Sequence, residues 1–216
     1  MIDTPALGTD TLSQRAYRQL RDQILTGHLQ QGQRLSLRGM ANSLGMSMAP
    51  VGEALRELSR DGLVESEPGW GTRVHKLTAT SLRSRHVLRT ALECEAARQC
   101  AATASDMQLA ELLQLAEELD ERIDNGCAPD DVQMLDSKFH LDIAAASGAD
   151  CLLDALRSNQ LVRMLAHGSI LAHNTKRPPR QHIQIADALL SRDVDMAERT
   201  MREHCVRSME LQLSAI

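Results

Sequence analysis

From Ser81 onward the sequence contains only one kind of local order. Every segment reads as helix, and the interruptions are brief: Ser105, Gly126, Gly148, Asn174–Pro179 and Ser191-Arg192-Asp193. The segments between them are Ser81–Ala104, Asp106–Asn125, Pro129–Ser147, Asp150–His173, Arg180–Leu190 and Val194–Leu213. Long helices joined by short loops become antiparallel neighbours, so residues 81–216 are expected to form a six-helix bundle. Composition agrees, because the apolar stock is mainly Leu, Ala, Met, Ile and Val, with straight-chain helix formers prominent. Tyr17, Phe139 and Trp70 are the only aromatic residues, which argues against an aromatic-rich β-sandwich or an RNA-stacking platform. A length of 216 residues, 43% of them apolar and 25% charged, fits one large or two small globular domains.

The first 80 residues are organised differently. Residues 1–11 read as a loose arm, with Pro5, Gly8 and no period. Ala16, Leu20 and Ile24 recur at four-residue spacing and predict a helix over Leu12–Leu25 that Gly27 ends. A short second helix follows Ser36, carrying Leu37, Met40, Ala41 and Leu44, and Gly45 closes it. Ser47 is placed to N-cap a third helix that runs to Arg60, with Val51, Leu55 and Leu58 facing inward. Pro50 falls in its first turn, where the missing N–H costs little. Leu63–Glu65 and Thr72–Val74 then read as two strands around a Pro68–Gly71 tip. Three helices with a glycine turn before the third, followed by a two-stranded ribbon, make a winged helix-turn-helix over residues 12–75. A generic three-helix module is the plainer alternative. Residues 76–80 form a polar linker to the bundle at 81–216.

The net charge of −5 is uneven. Residues 1–80 carry nine basic and eight acidic side chains, whereas residues 81–216 carry 15 and 21. The acidity therefore belongs to the bundle and does not count against nucleic acid at the head. Five cysteines, an odd number with no CxxC pair, predict small buried hydrophobes in a reducing cytoplasm and not a disulfide framework. No apolar window of 18 residues and no basic-then-apolar leader pattern occurs, so no membrane association is expected.

Asp136 and His140 stand four residues apart on one predicted helix and share a face. His182 and His204 lie ten and twelve residues from Arg192, at the turn between the last two helices. At a rise of about 1.5 Å per residue they sit roughly 15 and 18 Å from it, nearly level in an antiparallel pair. One carboxylate and three imidazoles can thus converge and suit Zn²⁺ or another divalent transition metal. The alternative is that they are ordinary helix-surface histidines. No HExxH signature accompanies them.

Taken together, these patterns resemble a GntR-family bacterial transcription regulator of the FadR type, with an all-helical FCD effector domain. The resemblance rests on Leu20-Arg21, Ile24–Gly27, Gly32–Ser36, Leu44–Ser47, Pro50-Val51, Glu53–Arg56, Asp61–Val64 and Gly71–Val74. In the bundle it rests on Arg89-x-x-Leu92-Glu93, Ala96-Ala97, Asp136-x-x-Phe139-His140, His182 and His204. Six bundle helices are closer to the VanR-type subgroup. The resemblance implies a mainly α protein with a winged helix-turn-helix and an FCD-like bundle, acting as a homodimer on a palindromic double-stranded operator. It implies that Asp136, His140, His182 and His204 hold a metal, zinc first with nickel or manganese also fitting. It further implies a small carboxylate-containing effector, bound at the metal and reached by Arg89; an ion pair of Arg89 with Glu93 is the alternative. His167 and His173 can line the cavity or face solvent.

The recognition helix departs from the family pattern. Met48 and Gly52 occupy positions where arginines are usual, and arginine is the common bidentate reader of guanine. Arg38, Ser47, Met48, Arg56, Trp70 and Arg73 remain as candidate DNA contacts; Met48 suits either a thymine methyl or a partner surface, Arg56 either DNA or solvent at the helix end, and Trp70 either the sugar-phosphate backbone or the wing's own base. So sparse a basic set implies few phosphate contacts and a shallow salt dependence. The expected function is a non-enzymatic, effector-responsive DNA-binding regulator, with repression the expected sign. The alternatives are a direct transition-metal sensor and, without a nucleophile-and-base grouping, a metal-dependent enzyme.

Overall fold

The structure, a computed structural model, describes residues 10–67, 71–158 and 179–214. The chain divides into two compact units between Lys76 and Leu77. In the N-terminal unit α1 (Leu12–Leu25) opens with a capping box between Thr11 and Gln14 and buries Ala16, Leu20 and Ile24. A two-residue strand, β1 (Arg34–Leu35), precedes α2 (Leu37–Leu44). Ser36 caps α2, and Gly45 ends it at φ 63°, a left-handed conformation that glycine adopts without a Cβ penalty. Helix α3 (Met48–Arg60) buries Val51, Ala54, Leu55 and Leu58. The end of α3 is tied back to α1 by the Tyr17 hydroxyl, which donates to Asp61 Oδ2 at 2.6 Å.

The wing follows as β2 (Val64–Glu67) and β3 (Gly71–Val74). The two-strand expectation is corrected to three strands in the antiparallel order β1-β3-β2, with Arg34 and Glu65 on either side of Arg73. Strand β1 is too short to show a period. It forms because the outer edge of β3 needs backbone partners; Gly32 and Gln33 also bond Val74 at 2.9 Å. The tip residues 68–70, Trp70 included, lie outside the described residues.

The second unit comprises α4 (Ala79–Thr103), α5 (Asp106–Asp124), α6 (Pro129–Ala146), α7 (helical over 150–158), α8 (Gln181–Leu190) and α9 (Val194–Ser214). Helix α4 begins two residues earlier than the period suggested, because Thr78 and Ser81 form a capping box; residues 79 and 80 are therefore helix, not linker. The remainder of the helix expected over Asp150–His173, with His167 and His173, lies outside the described residues. Small residues on α4, namely Ala96, Ala97, Cys100 and Ala101, pack into a core with Leu119, Phe139, Ile185, Leu189 and Met201. Cys94, Cys100 and Cys205 are buried as expected of small hydrophobes, but Cys127 and Cys151 are at the surface. At the α8–α9 turn Arg192 adopts φ 61°. Its guanidinium donates to the carbonyls of Ala101 (3.3 Å) and Ala104 (2.5 Å) and pairs with Asp106, pinning this turn to the α4–α5 connection.

Gly52 lies inside α3, and a Cβ there would meet Leu37 Cδ1 at 3.7 Å, an ordinary van der Waals contact. Gly52→Ala is expected to stabilise the head by about 0.5–1 kcal/mol, since it removes the entropic cost of a helical glycine. Chemical denaturation followed by circular dichroism checks this; a lower midpoint would show that the space beside Leu37 is not usable.

Candidate metal centre and nucleic-acid interface

The bundle brings Asp136 and His140 of α6, His182 of α8 and His204 of α9 into one buried group, with one ligand atom from each within 4.8 Å of the others. The imidazole centroids of His140 and His182 lie 5.0 and 5.1 Å from that of His204. Phe139, fully buried, sets its ring edge-on to His140 and His182 at 5.6 and 5.5 Å. The level placement of His182 and His204 follows from the hairpin of α8 and α9.

His182 is held from outside the group. Asp120 of α5 accepts the His182 and Ile183 backbone N–H groups on Oδ2, each at 3.0 Å, while Oδ1 lies 2.6 Å from His182 Nδ1. One carboxylate thus caps the start of α8, which has no side-chain cap of its own, and orients the ring. Because a carboxylate only accepts, a ring proton sits on Nδ1; Nε2 lies 3.2 Å from Asp136 Oδ1, a gap that a proton or a cation would bridge. On the opposite side His140 Nδ1 lies 3.0 Å from Glu93 Oε2. Glu93 also receives Arg89 through Nε at 2.8 Å and Nη2 at 3.3 Å, and the Cys205 thiol at 3.3 Å. Arg89 Nη1 reaches Ser208, and His86 pairs with Gln212 at 2.5 Å, extending a buried polar row between α4 and α9.

These residues fit a cation. His140 Nε2 and His204 Nδ1 are buried without a hydrogen-bond partner, and His140 Nδ1 has only its 3.0 Å contact with Glu93. Leaving such groups unsatisfied costs free energy that coordination would recover. Burial first, and for His204 then the neighbouring His140 and His182, pushes both imidazoles below their ordinary value of 6.5; they stand neutral, as ligands must. Three imidazoles and a carboxylate suit a first-row divalent ion.

In the head, Arg38 and Arg56 are exposed on α2 and α3, and Met48 is 54% exposed at the start of α3. Ser47 holds the N-cap position, but its side chain makes no capping hydrogen bond, contrary to expectation, so its hydroxyl is free for another partner. Arg73 is half-buried on β3, with Nη1 3.4 Å from the Gly32 carbonyl.

A winged helix-turn-helix followed by a helical domain with an enclosed polar site defines the class of a DNA-binding transcriptional regulator. The family of bacterial regulatory proteins termed gntR matches residues 12–74, and the FCD domain matches residues 86–207. The chain is 30% identical over 207 residues to the HTH-type transcriptional repressor RspR of Escherichia coli K12, covering 94% of this chain and 90% of that protein. It is 26% identical over 190 residues to the Nta operon transcriptional regulator of Aminobacter aminovorans, with 88% and 89% covered. Among solved structures, E. coli McbR/YncC shares the fold, with a TM-score of 0.75 and 23% identity over 95% of this chain and 99% of that one. A GntR regulator from Rhodococcus sp. RHA1 gives a TM-score of 0.74 at 26% identity, covering 94% and 98%. The chain belongs to the GntR family, with an FCD domain. It is a transcriptional regulator and not an enzyme, and no helix among the described residues is long and apolar enough to cross a membrane.

Sequence reasoning missed Asp120 and saw Glu93 only as a partner of Arg89. Asp120 had a signal: it continues the stripe Leu109, Leu112, Ala116 of α5, where a carboxylate on a buried face demands a partner. Asp120→Asn is expected to retain the fold yet lower metal affinity about 10–100-fold, the usual cost of losing a carboxylate behind a histidine ligand. Competition with a chromophoric chelator measures it; affinity equal to wild type would show that Asp120 serves α8 alone.

Proposed function

We propose that the protein is a homodimeric repressor that grips a palindromic operator through its winged heads and releases it when a small carboxylate-containing effector enters the FCD bundle. The observation that carries this reading is the buried Asp136, His140, His182 and His204 group in the regulatory domain of a GntR regulator. These four side chains would hold a divalent transition metal, zinc first, with nickel and manganese also compatible. Such an ion supplies a Lewis-acidic position that an effector carboxylate can share. Arg89, buried one helical turn before Glu93, would offer its guanidinium to the same carboxylate by loosening its bond to Glu93. RspR, a named repressor, supports the sign of regulation. Val87, 71% exposed on α4, and the neighbouring Leu88 and Ala91 supply an apolar face for a second copy.

At the operator, Arg38 on α2 and Ser47, Met48 and Arg56 on α3 are assigned to DNA, with Arg73 and Trp70 contributed by the wing. A second reading gains support from Arg89 being already engaged by Glu93 and Ser208: the metal itself is the signal. The two differ in what releases DNA. An organic acid added to metal-loaded protein does so in the first, and metal loading alone changes affinity in the second.

Purified protein is expected to carry about one transition-metal ion per chain by elemental analysis, and His140→Ala or His204→Ala to lose it together with thermal stability. Arg38→Ala should weaken binding to the promoter of its own or a neighbouring operon about tenfold with an unchanged melting curve, the scale of one lost charged contact. Metal-free preparations that melt alike with and without the histidines would overturn the metal centre. Absence of any sequence preference over competitor DNA would overturn operator binding.

A further inference from the structure

The exposed surface shared by α2 and α3 is apolar at its centre and bordered by Arg38, Arg56 and Arg60, with Glu53 and Glu57 exposed further around α3. Met48 and Gly52 stand one turn apart on the same face of α3. Leu37 of α2, 40% exposed, lies over the bare backbone at Gly52, since a Cβ built there would be 3.7 Å from Leu37 Cδ1. The patch opens into a cleft that Leu55, Ser59, Arg56 and Arg60 continue. Arg38 on α2 and Arg56 and Arg60 on α3 are exposed. Arginines beside an apolar strip complement duplex DNA, where phosphates border the base edges. Neither Met48 nor Gly52 has a side-chain hydrogen-bond donor, so these two positions cannot read guanine O6 and N7. Thymine alone presents an apolar group, its 5-methyl, in the major groove.

We propose that Met48, Gly52 and Leu37 form a thymine-methyl reading site, so that each operator half-site carries a thymine facing this patch. The inference rests on α3 being the operator-contacting helix, and it identifies what that helix reads. Leu37 and Met48 close on the methyl from α2 and α3, and the missing side chain at Gly52 leaves room for it. The arginines hold the phosphates on either side. An unrelated protein partner seated on the same patch is the rival occupant.

The test starts from duplexes that full-length protein enriches from a random pool. Single thymines are then replaced by deoxyuridine, which removes the 5-methyl and preserves base pairing, and affinity is read by fluorescence anisotropy at fixed salt. One thymine per half-site is expected to cost wild type about fourfold on replacement, the factor that burial of one methyl-sized group supplies. Met48→Ala and Leu37→Ala, both at exposed positions, should shrink that penalty toward unity while melting like wild type. A motif in which every thymine tolerates deoxyuridine within twofold would overturn the reading site and favour the protein partner. A penalty of equal size in both variants would also overturn it. Failure to enrich any motif would overturn operator binding itself, and this site with it.

Discussion

The carboxylate of Asp120 is the interaction on which the bundle interior depends. Helix α8 follows its N-cap Arg180, which is left-handed and makes no side-chain cap, so the first N–H groups of the helix need an acceptor from elsewhere. Asp120 supplies one from α5, and with its second oxygen fixes the tautomer and direction of His182. The same bonds therefore stabilise a helix end and aim the other ring nitrogen of His182 toward Asp136. Such coupling puts the ring where packing puts the helix, so little conformational freedom remains for a bound ion to remove.

Around that anchor the bundle tolerates an unusual concentration of buried polarity. Asp120, Asp136, Glu93, Arg89 and four histidines, His86 included, are all buried. The cost is contained on one side by the Arg89–Glu93 pair and on the other by the caps that Asp120 makes. It is least compensated at His140 Nε2 and His204 Nδ1, which have no hydrogen-bond partner, whereas His140 Nδ1 faces Glu93 at 3.0 Å. Burial and mutual repulsion keep these rings neutral, the state in which they can coordinate. The row continuing from Glu93 through Arg89 and Ser208 to the His86–Gln212 pair joins α4 to α9 with polar bonds, so a change at the ligand group has bonded neighbours along α4.

The head works with different means. Its folding rests on ordinary elements: a capping box, a glycine-closed turn, and the apolar stripes of α1 and α3. Its charge is nearly balanced, so under the proposed operator binding little affinity would come from phosphates and more from shape and apolar contact. The wing is stiffened by β1, which covers the edge of β3 and sets Arg34 beside Arg73.

Much of this was legible in the chain. The helices of the bundle follow from uninterrupted helical spacing between short breaks; His182 and His204 could be put level by counting residues from the Arg192 turn, and Asp136 and His140 on one face by their four-residue spacing. Local signals were also enough for α1, α2 and α3, because each is bounded by a cap or a glycine close in sequence. Strand β1 was not legible, since two residues carry no period and only β3 gives them a reason to extend. Nor was the role of Asp120, which is 62 residues from His182 and meets it solely because α5 packs against α8. By itself, then, the sequence determined the elements and the ligand types, because these depend on neighbours a few residues apart. Tertiary structure alone decided which carboxylates stand behind the histidines, which ring nitrogens face inward, and that Leu37 covers Gly52, because each requires side chains from two different helices to touch.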